Sequence, residues 1–185
     1  MFKNENKKWF TLSSSKGFTL LELLVVIGII GLLASIIVVN LTGARRRARD
    51  TKRVADIRNI QTANEDYYGK NGKYPATIGD LVTGTQLPIW PFDPLAPAGT
   101  SCTANSDLCY WYAAYTPTGA LGPQSYHIGA SLEDQGSMLL NQDRDCVSTT
   151  GSNCPYTGAY TNGFSGVDTA GCGGVVNRYC YDIAQ

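Results

Sequence analysis

A single histidine, His127, two methionines and no proline ahead of Pro75 set this chain of 185 residues apart. One imidazole cannot complete a Cys2His2 zinc site, and none of the six cysteines has C-x-x-C spacing, so structural zinc is a poor reading. G-x-S-x-G, H-E-x-x-H, G-x-G-x-x-G and the P-loop are all missing. The sequence therefore offers no catalytic constellation and no cofactor fingerprint, and a non-enzymatic protein is expected. His127 stands in an apolar-polar alternation, the setting of a structural histidine. Tyr110, Trp111, Tyr112 and Tyr115 read as core and sheet-face residues rather than a sugar platform.

What the chain does have is one long apolar run. Residues 18–41 would form a helix of about 36 Å, enough for a bilayer core of about 30 Å. Lys3, Lys7, Lys8 and Lys16 precede it, as in a secretory signal peptide. The run is too long for an h-region of about 7 to 15 residues, however, and no A-x-A-like site follows. Within it sits one carboxylate, Glu22. Thr19-Leu20-Leu21-Glu22 fits a capping box, and the macrodipole favours an acid in a first turn. That accounts for a Glu near a helix start, but not for a helix start inside an apolar segment. A cut between Gly17 and Phe18 would create an α-amino group four residues from Glu22. Among Leu and Ile side chains such an ammonium pairs strongly with a carboxylate, and a misplaced neighbour would leave Glu22 unpaired.

The 15 basic and 15 acidic side chains cancel, but they are segregated. Residues 45–58 are rich in Arg and Lys, whereas beyond residue 100 only Arg144 and Arg178 oppose seven acids. The cysteines fall in three couples, Cys102 and Cys109, Cys146 and Cys154, and Cys172 and Cys180, which favours disulfides. Near-neighbour pairing is one of about 15 connectivities. Disulfides imply that residues 42–185 lie outside the cytoplasm. The positive-inside rule alone would place them inside, because the flank after the run is the more basic; the cysteines are given precedence.

The helical signal continues past Leu41. Ala44, Ala48, Val54, Ile57, Ile60, Asn64 and Tyr67 recur at helical spacing, with Arg46, Arg49, Arg53 and Asp56 between them. One helix from about Phe18 to Tyr68 is expected, stopped by Gly69 and Gly72, with a short turn or two over 77–82. "YWYAAY", "SYHIGA" and "NRYCYDIA" predict antiparallel strands, and segments 93–107 and 141–174 predict disulfide-pinned loops. The fold class is α+β: a long N-terminal helix packed on a small antiparallel β-sheet domain.

K-G-F-T-L-L-E, residues 16–22, resembles the class III leader and mature start of type IV pilins and type II secretion pseudopilins. The likeness runs over about residues 16–82 and includes Asn71-Gly72-Lys73-Tyr74-Pro75; further on it thins to Asp93-Pro94 and "SYHIGASLEDQG". The resemblance implies that prepilin peptidase removes residues 1–17 as a leader, cutting after Gly17 and methylating Phe18, and that Glu22 guides subunit docking. It further implies a transmembrane and filament-core helix over 18–41, an amphipathic continuation over 42–68 and a head over 69–185. The partners implied are the membrane, further copies of the chain, and an assembly ATPase with its platform proteins. The destination implied is a cell-surface type IV pilus, with a type II secretion pseudopilus as the alternative. Apart from the resemblance, a single-pass anchored extracellular binding domain or enzyme is a second alternative. Two departures stand out. Val39 occupies the place where many members have a Pro, and the calcium loop of major pseudopilins has no clear counterpart. Asn141, Asp143 and Asp145 alternate as calcium ligands do, but Cys146 and the absence of a Glu near Ser152 break the EF-hand pattern, leaving them weak calcium candidates.

The run "ARRRARDTKR" reads as a solvated or headgroup-contacting helix face, with DNA as an unsupported alternative.

Overall fold

The computed structural model describes residues 17–100, 102 and 105–185, without the side chains of 36–40. The leader expected over 1–17 lies outside the described residues except for Gly17. Contacts divide the chain into two compact units, Met1–Thr42 and Gly43–Gln185.

Helix α1 runs from Leu20–Asn71, starting two residues later and ending three residues further on than the sequence suggests. Thr19 and Glu22 cap its start. The helix ends at Gly72, which takes φ 65° and donates its N–H to Tyr68 O at 2.8 Å. A left-handed glycine at that position is how many helices stop. Gly69, expected to share this role, remains inside the helix. Every large apolar side chain from Phe18 to Leu33 is exposed. Among the described residues no helix is long and apolar enough to cross a membrane.

In the second unit, α1 presents Val54, Ile57, Ile60, Ala63 and Asn64 to a sheet. Ala44 and Ala48, expected on the same stripe, are exposed. Helix α2, Ile78–Thr83, buries Ile78 and Leu81 against the same core. The Asn71–Pro75 motif is the return from α1 to this core: Tyr74 N–H donates to Pro123 O at 2.9 Å, and Pro75 O accepts the Tyr112 hydroxyl at 2.8 Å.

Three antiparallel strands follow in the order β1 (Trp111–Tyr115), β2 (Ser125–Leu132) and β3 (Tyr179–Ala184); β1 and β3 lie within runs the sequence marks out, and β2 runs two residues beyond its own. Alternation sorts β2 cleanly. Tyr126, Ile128, Ala130 and Leu132 face the α1 core, while Ser125, His127, Gly129 and Ser131 face the other way. All eight residues are buried, so the sheet is covered on both faces. The second cover is the long 141–174 segment, which brings Tyr160, Phe164 and Cys172 over Ala113 and Cys180. This is why Gly129 has no side chain: a Cβ there would lie 2.8 Å from both Cys172 Sγ and Phe164 Cε2. The disulfides are Cys102–Cys109, Cys146–Cys154 and Cys172–Cys180.

Candidate functional site

At the N-terminal end of α1, Gly17 and Phe18 precede the first helical turn and are exposed, Phe18 at 85 %. Thr19 N–H donates to Glu22 Oε2 at 2.9 Å, Thr19 Oγ1 donates to the same oxygen at 2.9 Å, and Glu22 N–H donates to Thr19 Oγ1 at 3.2 Å. The capping box is thus formed reciprocally, and it engages one of the two carboxylate oxygens. Among the described residues no cation approaches Glu22; its polar partner is the backbone and hydroxyl of Thr19. Gly17 and Phe18 are exposed, and the helix behind them exposes Leu20, Leu21, Leu23 and Leu24.

A second polar cluster joins α1 to the head. Arg53, expected on a solvated face, is fully buried. Its Nε and Nη2 donate to Asp93 at 2.5 and 2.9 Å, and its Nη1 donates to Asp50 Oδ1 at 2.6 Å and Glu133 Oε1 at 2.7 Å. Arg49 grips Glu133 through two further bonds of 2.8 and 2.7 Å. Asp50 in turn accepts the backbone N–H groups of Glu133 and Asp134. Burial opposes the Arg53 charge, but the hydrogen bonds from Asp93 and Glu133 outweigh it and hold its pKa above the ordinary value. The Arg49 hydrogen bonds draw Glu133 down to about 2. Asp56, also expected to face solvent, accepts the hydroxyl of buried Tyr110 at 2.7 Å. Both residues are met by polar groups of the head, Arg53 by the acids Asp93 and Glu133 and Asp56 by the Tyr110 hydroxyl, so charge there is paired inside rather than hydrated outside.

His127 lies in the back layer of the sheet, between Ser148 Oγ at 2.8 Å from Nδ1 and Asp182 Oδ2 at 2.8 Å from Nε2. The order Ser–His–Asp is that of a hydrolase triad. Ser148 Oγ, however, is already committed to Phe164, donating to its O at 3.0 Å and accepting its N–H at 2.9 Å. All three residues are fully buried. Burial lowers the His127 pKa against the pull of Asp182. The arrangement is structural, with the ring stacked on Phe164 at 3.8 Å. Cys146 lies near His127 and Asp182, but its sulfur belongs to a disulfide and cannot ligate a metal.

Of the weak calcium candidates, Asp143 and Asp145 come together with Asp168, their oxygens within 4.8 Å; Asn141 and Asp168 line one pocket. Burial, then the neighbouring Asp168, Asp182 and Asp145, push Asp143 up to about 8. Burial and Asp145 push Asp168 up to about 6. An all-oxygen set of this kind suits a hard divalent cation rather than zinc or copper.

Residues 12–38 match the prokaryotic N-terminal methylation motif. The type II secretion system core protein G of Escherichia coli K12 is 44% identical over 81 residues, which is 44% of this chain and 54% of that protein. The type IV wide pilus major component PilA4 of Thermus thermophilus is 40% identical over 70 residues, 38% of this chain and 53% of its own. Core protein G of Vibrio cholerae is 46% identical over 61 residues, 33% of this chain and 42% of its own. Over its N-terminal part the chain is similar to type IV pilins and type II secretion pseudopilins. It spans about half the length of the curated relatives it matches. No solved structure matches it. In a pilin or pseudopilin the methylation motif fits a membrane-anchored precursor, and the junction it covers here is the exposed Gly17–Phe18 bond.

Proposed function

We propose that the chain is a prepilin whose residues 1–17 are removed by a prepilin peptidase, whose Phe18 amine is methylated, and which polymerises through α1 into a type IV pilus. The observation that carries this reading is the exposed apolar start of α1 with Glu22 as its one acid, held by Thr19 alone. Before assembly, residues 18–41 cross the membrane once and the disulfide-bonded head stands outside. After assembly the same apolar surface is covered by other copies of α1. The amine of Phe18 then neutralises Glu22 of a neighbour, and because an acid left unpaired in an apolar bundle is strongly unfavourable, the pair selects one stagger.

Related chains named as core protein G favour a second reading, a type II secretion pseudopilin. Sheared cells yielding long fibres of this chain support the pilus; loss of exoprotein release on deletion, with no fibres, supports the pseudopilus. Mass spectrometry of the N-terminal peptide tests both at once. Methyl-Phe18 is expected at the start, and an intact Met1 leader in the membrane or filament fraction would exclude polymerisation by this route.

A further inference from the structure

The arginines that follow the apolar run divide into two sets. Arg49 and Arg53 are four residues apart on one face of α1 and are taken up by Glu133, Asp50 and Asp93 of the same chain. Arg45, Arg46 and Arg47 are consecutive and exposed. Arg47 touches Asp134 at 3.5 Å with its side chain still 80% exposed, a contact that solvent screens. Arg45 and Arg46 have no polar partner among the described residues. No acid occurs anywhere between Glu22 and Asp50 to neutralise them.

Three successive residues on a helix step about 100° apart and rise only about 3 Å from first to last. Their side chains therefore leave the axis in three directions at nearly one level. A partner lying to one side, whether a protein face or a nucleic-acid duplex, is met by a stripe of residues three and four apart. A ring at one level meets a plane that the helix passes through. The ring begins four residues after Leu41, so it sits about 6 to 9 Å beyond the apolar run. A bilayer about 30 Å thick in its core and about 40–45 Å overall has a headgroup layer about 5 to 7.5 Å deep on each side, so the ring's backbone lies at the outer edge of that layer. Helical side chains lean toward the N-terminus, which here is toward the bilayer. Guanidinium groups also match phosphate oxygens in geometry as well as in charge.

We infer that Arg45, Arg46 and Arg47 form a collar that binds lipid headgroup phosphates at the outer face of the membrane and sets the depth of the subunit before assembly. The inference rests on the reading that residues 18–41 span the bilayer. A subunit drawn into a filament leaves these phosphates, so the collar holds the unassembled state.

The test uses the full chain, labelled with 13C,15N-arginine and reconstituted in phosphatidylglycerol/phosphatidylcholine vesicles in phosphate-free buffer. Solid-state NMR then reads dephasing of arginine carbons by lipid 31P. Signals dephased in the parent and lost in R45Q/R46Q/R47Q, with both chains giving the same protease-protected span, are expected. An inserted parent without dephasing, or dephasing that survives the triple substitution, overturns the collar while leaving the span intact. A parent that does not insert overturns both. Retention of duplex DNA by the parent but not by the triple variant, without dephasing, assigns the ring to nucleic acid instead.

Discussion

Arg53 is the residue on which the head depends most. With four acceptor contacts and no exposure, it is worth little as an ion pair but is costly to break, because either partner left alone is a buried charge. Arg53→Ala or Asp93→Ala is expected to cost about 3–5 kcal/mol, read from urea unfolding of the detergent-solubilised chain. Arg49→Gln, partly exposed, should cost about 1 kcal/mol or less. The acid cluster behaves oppositely to Glu133. A carboxyl raised to about 8 in the fold binds a proton that the unfolded chain has released above about 4, so Asp143 makes stability fall as pH rises between about 4 and 8. Glu133, lowered to about 2, makes stability rise with pH between about 2 and 4.5. Thermal melts in EDTA should therefore show a decline toward pH 8 that Asp143→Asn flattens. A decline unchanged in that variant would assign it elsewhere. Arg53 was hidden in the sequence by its type, since arginine among polar neighbours reads as surface. Its position four residues before Ile57 and seven before Ile60 was the available signal, and Asp93-Pro94 the partner's.

At the scale of elements, α1 carries two different surfaces on one continuous helix. Its second half is stabilised by packing on β2, so that half was legible from periodicity. Its first half is apolar all round, a pattern that identifies a segment needing an external cover but not the cover itself. Glu22→Ala is expected to leave the head's melting curve unchanged, because the hydrogen bonds of the exposed Glu22 run to Thr19, while abolishing or grossly reducing filaments scored by electron microscopy of sheared material. Equal numbers of normal fibres from that variant would refute the pairing of Glu22 with a neighbour's amine. The 141–174 segment is the other element with a double character. The sequence marks it as a loop, and it is irregular, yet it serves as the second cover of the sheet over His127 and Gly129. Replacing Cys172 and Cys180 together by Ala should cost about 2–4 kcal/mol and raise hydrogen exchange in β3 more than in α2.

For the whole molecule, the division into two units matches two separate tasks. The N-terminal unit exposes the apolar side chains from Phe18 to Leu33 with Glu22 among them, the surface that the proposed function assigns to lipid or other copies. The second unit is stabilised by its own core, a buried ion network and three disulfides. A chain built in this way is expected to keep its head folded in detergent, in membrane and in a filament alike. The near-identity of head hydrogen-exchange rates in the three states, with protection changing over residues 18–41, is the measurement that checks it.

The sequence by itself determined the class, the long helix, the three strands, and the Gly17–Phe18–Glu22 constellation, because these are local patterns: spacing, β-branched and aromatic runs, and a short motif at a helix start. Tertiary structure alone decided that Arg53 and Asp56 face inward, that Asp168 joins Asp143 and Asp145, and that an irregular loop covers a sheet. Each of those is a meeting of residues 23 to 80 positions apart, and whether a charge is hydrated or paired depends on what arrives opposite it, which no local pattern records.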